Sequence, residues 1–590
     1  MATPNCLRPL HRGVGDFPAH LFAADRKHDR RDRVTEEERM RNDIQGQAGD
    51  PAESGHLTEG LTRWGTIGVV AGTMLALLLA ALDQTIVGTA MPRIVAELNG
   101  LNYYSWVITA YLVASTIMVP IAGKLGDLFG RKPFLLAGMI GFVAASALCG
   151  QSHGMLELVT FRTVQGIFGG MLFATVFAVI GDLFPPSQRA RLAGLFGAVF
   201  GLSSIVGPTA GGYITDSWGW RWVFYVNLPV GLIAVLLVLV TMPYVRSSAS
   251  IRDIDFLGAG MLVAGLVPLM VALSITRDHG WTSPEVLGLL AIAAVLLAIF
   301  FVLEMRTDHP IVPFSLFKNS TFSVSMIVGF LTGFGMFGTI VFVPLIYQGV
   351  LGVSATNSGQ LLTPMMLGLI VASTLVGQAM VRIRYYRFLG TAGIVVMLVG
   401  MWLLSQVTVT TSRFEVVRDI VLVGAGLGTT FPLYLTAVQT ALPRNFLGVA
   451  SSQIQFWRQI GGTIGTAVLG SVLAQRLPVH IQEQVASLHL PSQIASRFAS
   501  GGGSNPQTLF DPAQIAARRA QASALGQQGA AIFDQVLHSI RAGLAATLHE
   551  VFLYGAAILI LALIASVFLN DVPLRGRQSA REEGSPVAAA

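Results

Sequence analysis

The 590-residue chain is 53% hydrophobic and only 12% charged, with a formal net charge of +6. That balance excludes an ordinary soluble domain. The basic residues are scattered through short connections and form no single stripe, so the positive charge reads as membrane topology and not as a nucleic-acid surface.

Residues 1–62 are polar, rich in Arg, Asp and Glu, and are expected to form a disordered cytoplasmic tail. The tail has no short apolar core of a cleaved signal peptide, so the first span is expected to act as an uncleaved anchor. Apolar segments follow near 66–90, 105–126, 133–151, 156–183, 190–213 and 221–243, two more near 256–276 and 283–304, then 322–347, 358–381, 388–407, 417–440, 447–473 and 550–569. Each suffices, as a helix, to cross a hydrocarbon layer of about 30 Å. The pattern is six plus two plus six in an all-α polytopic membrane protein. It divides the chain into a six-helix bundle (63–245), two linking helices (246–310), the first five helices of a second bundle (311–475), a long extracytoplasmic loop (476–549), the last span (550–570) and a tail (571–590).

Inward connections carry Lys124, Arg131, Lys132, Arg189, Arg191, Arg246, Arg252, Arg306, Lys318, Arg382, Arg384, Arg387 and Arg444, while outward ones hold only Arg93, Arg221, Arg277, Arg413 and Arg418, which puts both termini in the cytoplasm. Within the outer loop, Ser500–Ser504 is a glycine-rich break and 512–548 has apolar residues at helical spacing. The loop is either a tolerated insertion or a surface for the membrane or a periplasmic partner. The two cysteines, Cys6 and Cys149, imply neither a disulfide framework nor a metal site.

Four clusters stand out along the spans. Asp83 lies within the first, where a charged side chain costs at least about 2.5–3.5 kcal/mol, so it faces a polar cavity or another helix. It either exchanges protons and serves substrate movement, or is locked to a neighbour. Gly123, Gly126, Asp127, Gly130, Arg131 and Lys132 join spans two and three. The glycines permit a tight approach and the charges can bond across a gate, although Arg131 and Lys132 alone would also fit simple inward anchoring. Arg162, Gln165 and Gly166 share one face of span four, with Arg162 either buried against an acid or snorkelling outward. Gly207, Pro208, Gly211 and Gly212 in span five make a kinked, closely packed seam.

In this order the segments resemble the major facilitator superfamily, in its fourteen-span drug:proton antiporter branch. The 123–132 loop is similar to the superfamily signature, with Leu128 where many members are basic. Arg162, Gln165 and Gly166 resemble the fourth-span motif linked to proton transfer, with Phe168 replacing a common glycine. The 207–212 run resembles the fifth-span exporter motif. The stretch around Asp83 resembles the first-span motif, with Gly88 and Thr89 in place of Asn-Val. Arg458, Gln459, Gly461 and Gly462 resemble the thirteenth-span pattern. The likeness covers about 64–475 and the last span.

The resemblance implies a major facilitator fold, two six-helix bundles plus two extra spans, that exports amphipathic organic compounds by alternating access in a bacterial inner (plasma) membrane. No cofactor is implied; the proton gradient is the driving force. Asp83 would carry the proton, Arg162 would poise it, and Asp127 with Arg131 would latch the cytoplasmic side. Topology makes Asp182, at the inner end of span four, a partner for Arg131. A dedicated exporter of one metabolite, siderophore or lipid is the alternative, and a membrane-embedded enzyme or sensor is more remote. No His-x-x-x-His, Cys-x-x-Cys or Walker A pattern occurs, so no catalytic or metal-binding residue is assigned.

Overall fold

Backbone polar groups in hydrocarbon must bond within their own segment, which leaves helices as the outcome for these apolar runs. The computed structural model describes residues 62–98, 103–244, 250–352, 362–383, 386–486, 488, 512–524 and 527–570. Among them there is no strand. The long helices are α1 (Arg63–Leu98), α2 (Tyr104–Phe129), α3 (Arg131–Gln151), α4 (Met155–Leu183), α5 (Pro186–Ser217) and α6 (Trp222–Thr241, broken at Val226). The linking pair is α7 (Phe256–His279) and α8 (Pro284–Glu304). The second set is α9 (Ser320–Leu345), α10 (Thr363–Arg382), α11 (Arg387–Ser405), α12 (Arg413–Ala441), α13 (Leu447–Ala486) and α14 (Gln527–Val567).

Thirteen described helices are long and apolar enough to cross a membrane. The long helix missing from that set is α13, because Ser451, Ser452, Gln453, Gln455, Arg458 and Gln459 fall in its first half. Those residues are tolerated because protein surrounds them: Ser451 to Phe456 are all buried, and α13 packs along α2, α4, α9 and α14.

The two sets of six meet through α5 against α10 and α12, and through α13 against α2 and α4. The α7–α8 pair lies to one side, with α7 resting on α13 and α2. Local sequence fixes its ends. Asp255 accepts from the amide of Gly258 at 2.7 Å to cap α7, and Glu304 at the end of α8 accepts from the amide of Val312 at 2.6 Å.

The segment 476–549 departs from the loop expected of it. Helix α13 continues to Ala486 and α14 begins at Gln527, so both run into this segment, and a short helix covers Pro512–Ser523. The cause is an apolar seam at helical spacing. Ile481 and Val485 of α13 pack against Val536 and Ile540 of α14, flanked by Leu477 and Ile532. The 1–61 and 571–590 tails and the Ser500–Ser504 run lie outside the described residues.

Close helix contact depends on missing side chains. A Cβ placed on Gly461 of α13 would sit 2.0 Å from the carbonyl oxygen of Phe330 in α9, whereas one on Gly212 meets nothing within 4 Å. Gly461→Ala should therefore destabilise the detergent-solubilised protein by roughly 1–3 kcal/mol, the usual cost of overpacking. Gly212→Ala should leave the unfolding midpoint in place. Fluorescence-detected size exclusion after a heating series measures both.

Candidate functional site

Asp83 of α1 is fully buried, at 0% exposure, and every oxygen it presents is bonded. Arg162 of α4 donates through Nη1 to Asp83 Oδ2 at 2.5 Å. Gln165 Nε2, one turn further along α4, donates to Asp83 Oδ1 at 3.0 Å, and Asn227 Nδ2 of α6 reaches the same oxygen at 3.0 Å. Arg162 is itself 2% exposed, so its head stays inside the bundle and does not reach for the interface. It donates again to Gln165 Oε1 at 2.8 Å and to the carbonyl of Val107, and its guanidinium lies 4.2 Å from the centre of the Tyr111 ring.

The i, i+3 spacing that put Arg162 and Gln165 on one face of α4 thus aims both at the same acid. Asn227 and Tyr111 join the site through contacts that the sequence clusters do not include. Asn227 could have been noticed as an amide opening the apolar run of α6, where it also donates to Ser146 Oγ at 3.0 Å. Tyr111 gives no sequence signal of its own.

A second network closes the face that carries the 123–132 loop. Gly130, at φ +90°, turns the chain between α2 and α3 in a conformation that favours glycine. Arg131 Nη2 bonds Asp127, and its Nε donates to Asp182 Oδ2 of α4 at 2.5 Å. Asp127 also reaches across to the second set of helices. Its Oδ1 accepts from the amide of Gly448 at 2.9 Å and its Oδ2 from that of Val449 at 2.7 Å, so an acid of α2 serves the first turn of α13.

The glycines of the loop make this approach feasible. A Cβ on Gly126 would lie 2.7 Å from Arg131 Nη1, and one on Gly123 would lie 2.1 Å from Ser452 Oγ of α13. Lys132 donates to the carbonyls of Leu239 and Met242 at 2.8 and 2.6 Å, pinning α3 to the end of α6. Two more bonds tie the halves at this face: Arg189 Nη1 to the carbonyl of Gln439, and Gln439 Nε2 to that of Phe177.

Along the α5 seam, Gly207 and Gly211 back onto Thr85 and Thr89 of α1, where an added Cβ would fall 2.0 and 2.3 Å from their hydroxyls. Pro208 sits inside the helix, and Gly212 takes no part in the close contact. In α13, Gly462 faces the ring of Phe337 and Gln459 accepts from Thr116 of α2 at 2.7 Å. The side chain of Arg458 lies over the ring of Phe431, 4.4 Å from its centre.

Helices of this number, with charges bonded at the core and at one face, suit a protein that opens and closes around a path through the bilayer. The sequence model described as Major Facilitator Superfamily matches residues 73–466. The chain belongs to the major facilitator superfamily. Among curated proteins it is similar to the multidrug transporter protein MdtP of Bacillus subtilis (strain 168), 39% identical over 88% of this chain and 96% of that one. It is also similar to multidrug resistance protein 3 of the same organism, 37% identical over 86% and 96% respectively. Among solved structures, the human organic anion transporter MFSD10 aligns with a TM-score of 0.52 at 14% identity, covering 84% of this chain and 99% of that one. The proton:xylose symporter XylE gives 0.52 at 11% identity over 86% and 96%. As a major facilitator protein the chain is a multi-pass membrane transporter of small molecules, and not an enzyme.

The loop-face network generates a test of this transporter. A lysine at position 131 keeps the charge but loses the planar fork that serves Asp127 and Asp182 together. Arg131→Lys should lower the transport rate by roughly tenfold or more at equal membrane abundance. Initial rates in everted vesicles, normalised to immunoblotted protein, provide the measurement.

Proposed function

We propose that the protein is a proton-coupled exporter of amphipathic organic compounds that works by alternating access. The observation that carries this reading is the buried Asp83–Arg162 pair, an acid and a base in mid-bundle that are bonded to each other and to two amides. A proton delivered to Asp83 would cancel its charge and release Arg162 from its ionic partner, so occupancy by one proton alters how α1, α4 and α6 hold together. The sealed, ion-paired arrangement is the deprotonated state of that cycle.

The loop-face bonds support the second half of the proposal. Asp127 joins α2 to α13, and Arg189 joins α5 to the end of α12, so opening that face requires these bonds to break while the opposite face closes. With the basic connections inward, this is the cytoplasmic face of a bacterial inner membrane, and both termini lie in the cytoplasm. The similarity to two multidrug proteins supports export of several compounds over export of one. The energy comes from the proton gradient, without a cofactor.

Asp83→Asn retains the hydrogen-bonding shape but not the titrating charge. It should abolish efflux driven by an imposed pH gradient in inverted vesicles while the protein still reaches the membrane. Gradient-driven efflux by this variant at the wild-type rate would remove Asp83 from the coupling role.

A further inference from the structure

Two buried charge clusters in the first set of helices are paired internally. Asp83 is paired with Arg162, and Arg131 with Asp127 and Asp182. Arg458 in α13 differs. Among the described residues its side chain makes no ion pair and no hydrogen bond, and its one specific contact is with the ring of Phe431. It lies eleven residues from Leu447, the start of α13, a rise of roughly 16 Å and so about half the depth of the hydrocarbon layer.

The surroundings place it between the halves. Phe431 of α12, beneath the guanidinium, meets Phe177 of α4 edge-on with ring centres 5.3 Å apart. The next residue, Gln459, is bonded to Thr116 of α2. The preceding residue, Trp457, packs on Phe330 and Phe456, and its indole Nε1 is buried without a partner. One turn earlier on α13, Gln455 is 1% exposed and its Oε1 is likewise unpartnered. Arg458, like Trp457 and Gln459 beside it, is only partly buried, between the buried runs Ser451–Phe456 and Ile460–Gly462.

A guanidinium at mid-bilayer without a counter-charge is costly, and a single aromatic face offsets only part of that cost. An anion would offset that cost, and the adjacent rings suit an apolar or aromatic body attached to it. We propose that Arg458 is the charge-recognition point of the transported compound and that the protein favours anionic amphipathic substrates, a carboxylate or sulfonate carried on an aromatic frame. This rests on the transport reading above and adds the substrate's sign of charge. Organic cations would meet an uncompensated positive charge at the same place and be disfavoured. An anion leaving as a proton enters moves two positive charges inward per cycle, so an interior-negative potential would drive both legs.

The test uses the full-length protein in proteoliposomes and two aromatic dyes, fluorescein as the anion and ethidium as the cation. Each is followed in exchange across the membrane without a pH gradient. The wild type should exchange fluorescein in preference to ethidium. Arg458→Gln should slow fluorescein exchange at least about tenfold and lower the fluorescein-to-ethidium ratio, while Arg458→Lys, which keeps the charge but not the fork, should fall between them. Gel filtration of each variant confirms that it is folded.

Wild-type exchange of ethidium but not fluorescein would overturn the inference. So would an unchanged fluorescein rate in Arg458→Gln, or equal loss of both dyes in both variants. Because exchange requires no gradient, fluorescein exchange without pH-driven efflux would leave this inference standing and remove the coupling proposal. Gradient-driven efflux of ethidium alone would do the reverse.

Discussion

A carboxylate can remain in hydrocarbon only where the protein replaces the water it has given up, and around Asp83 that replacement is complete. Arg162 satisfies one oxygen, and Gln165 and Asn227 share the other. These partners come from α4 and α6, and Arg162 also touches Val107 and Tyr111 of α2. One acid therefore sets the register of four helices. The seam of Gly207 and Gly211 against Thr85 and Thr89 then holds α5 to the same helix, just beyond that acid.

The loop face follows the same rule with different economy. Asp127 receives Arg131 from its own half and two amides from the start of α13, so a single carboxylate balances a cation and completes a helix end in the other half. A contact made of charge-assisted hydrogen bonds is strong when dry and is readily exchanged for water once the face parts. That would suit a junction between bodies that separate, as the proposed cycle requires, better than a broad apolar interface.

Much of this could be read in the chain. Helical periodicity put Arg162 with Gln165, and the order of the apolar runs gave the succession of long helices. The partners supplied by distant helices were less legible, because Asn227 and Tyr111 carry no periodic signal toward a residue in α1. The extent of α13 is hard to read for a different reason, although the helical spacing across 512–548 already points to the early turns of α14. Beyond the bilayer a helix can be polar on most sides, and the residues that hold it, Leu477, Ile481 and Val485, recur at four-residue intervals within a segment whose average composition resembles a loop. Gly212 was grouped with its neighbours by motif, but only the structure shows which glycines of that run lie against another helix. That no acid among the described residues pairs with Arg458 could not be read at all, since it is a property of the assembled bundle.

The length of α13 has a mechanical effect. Its 40 residues give a rod of about 60 Å, twice the thickness of the hydrocarbon layer, with one end fastened by Asp127 and the other braced against α14 outside the lipid. A tilt of roughly 10° about the middle of such a rod moves each end by about 5 Å. In the proposed cycle the rod would act as a lever, carrying a tilt of the half that holds Arg458 to the end that packs on α14.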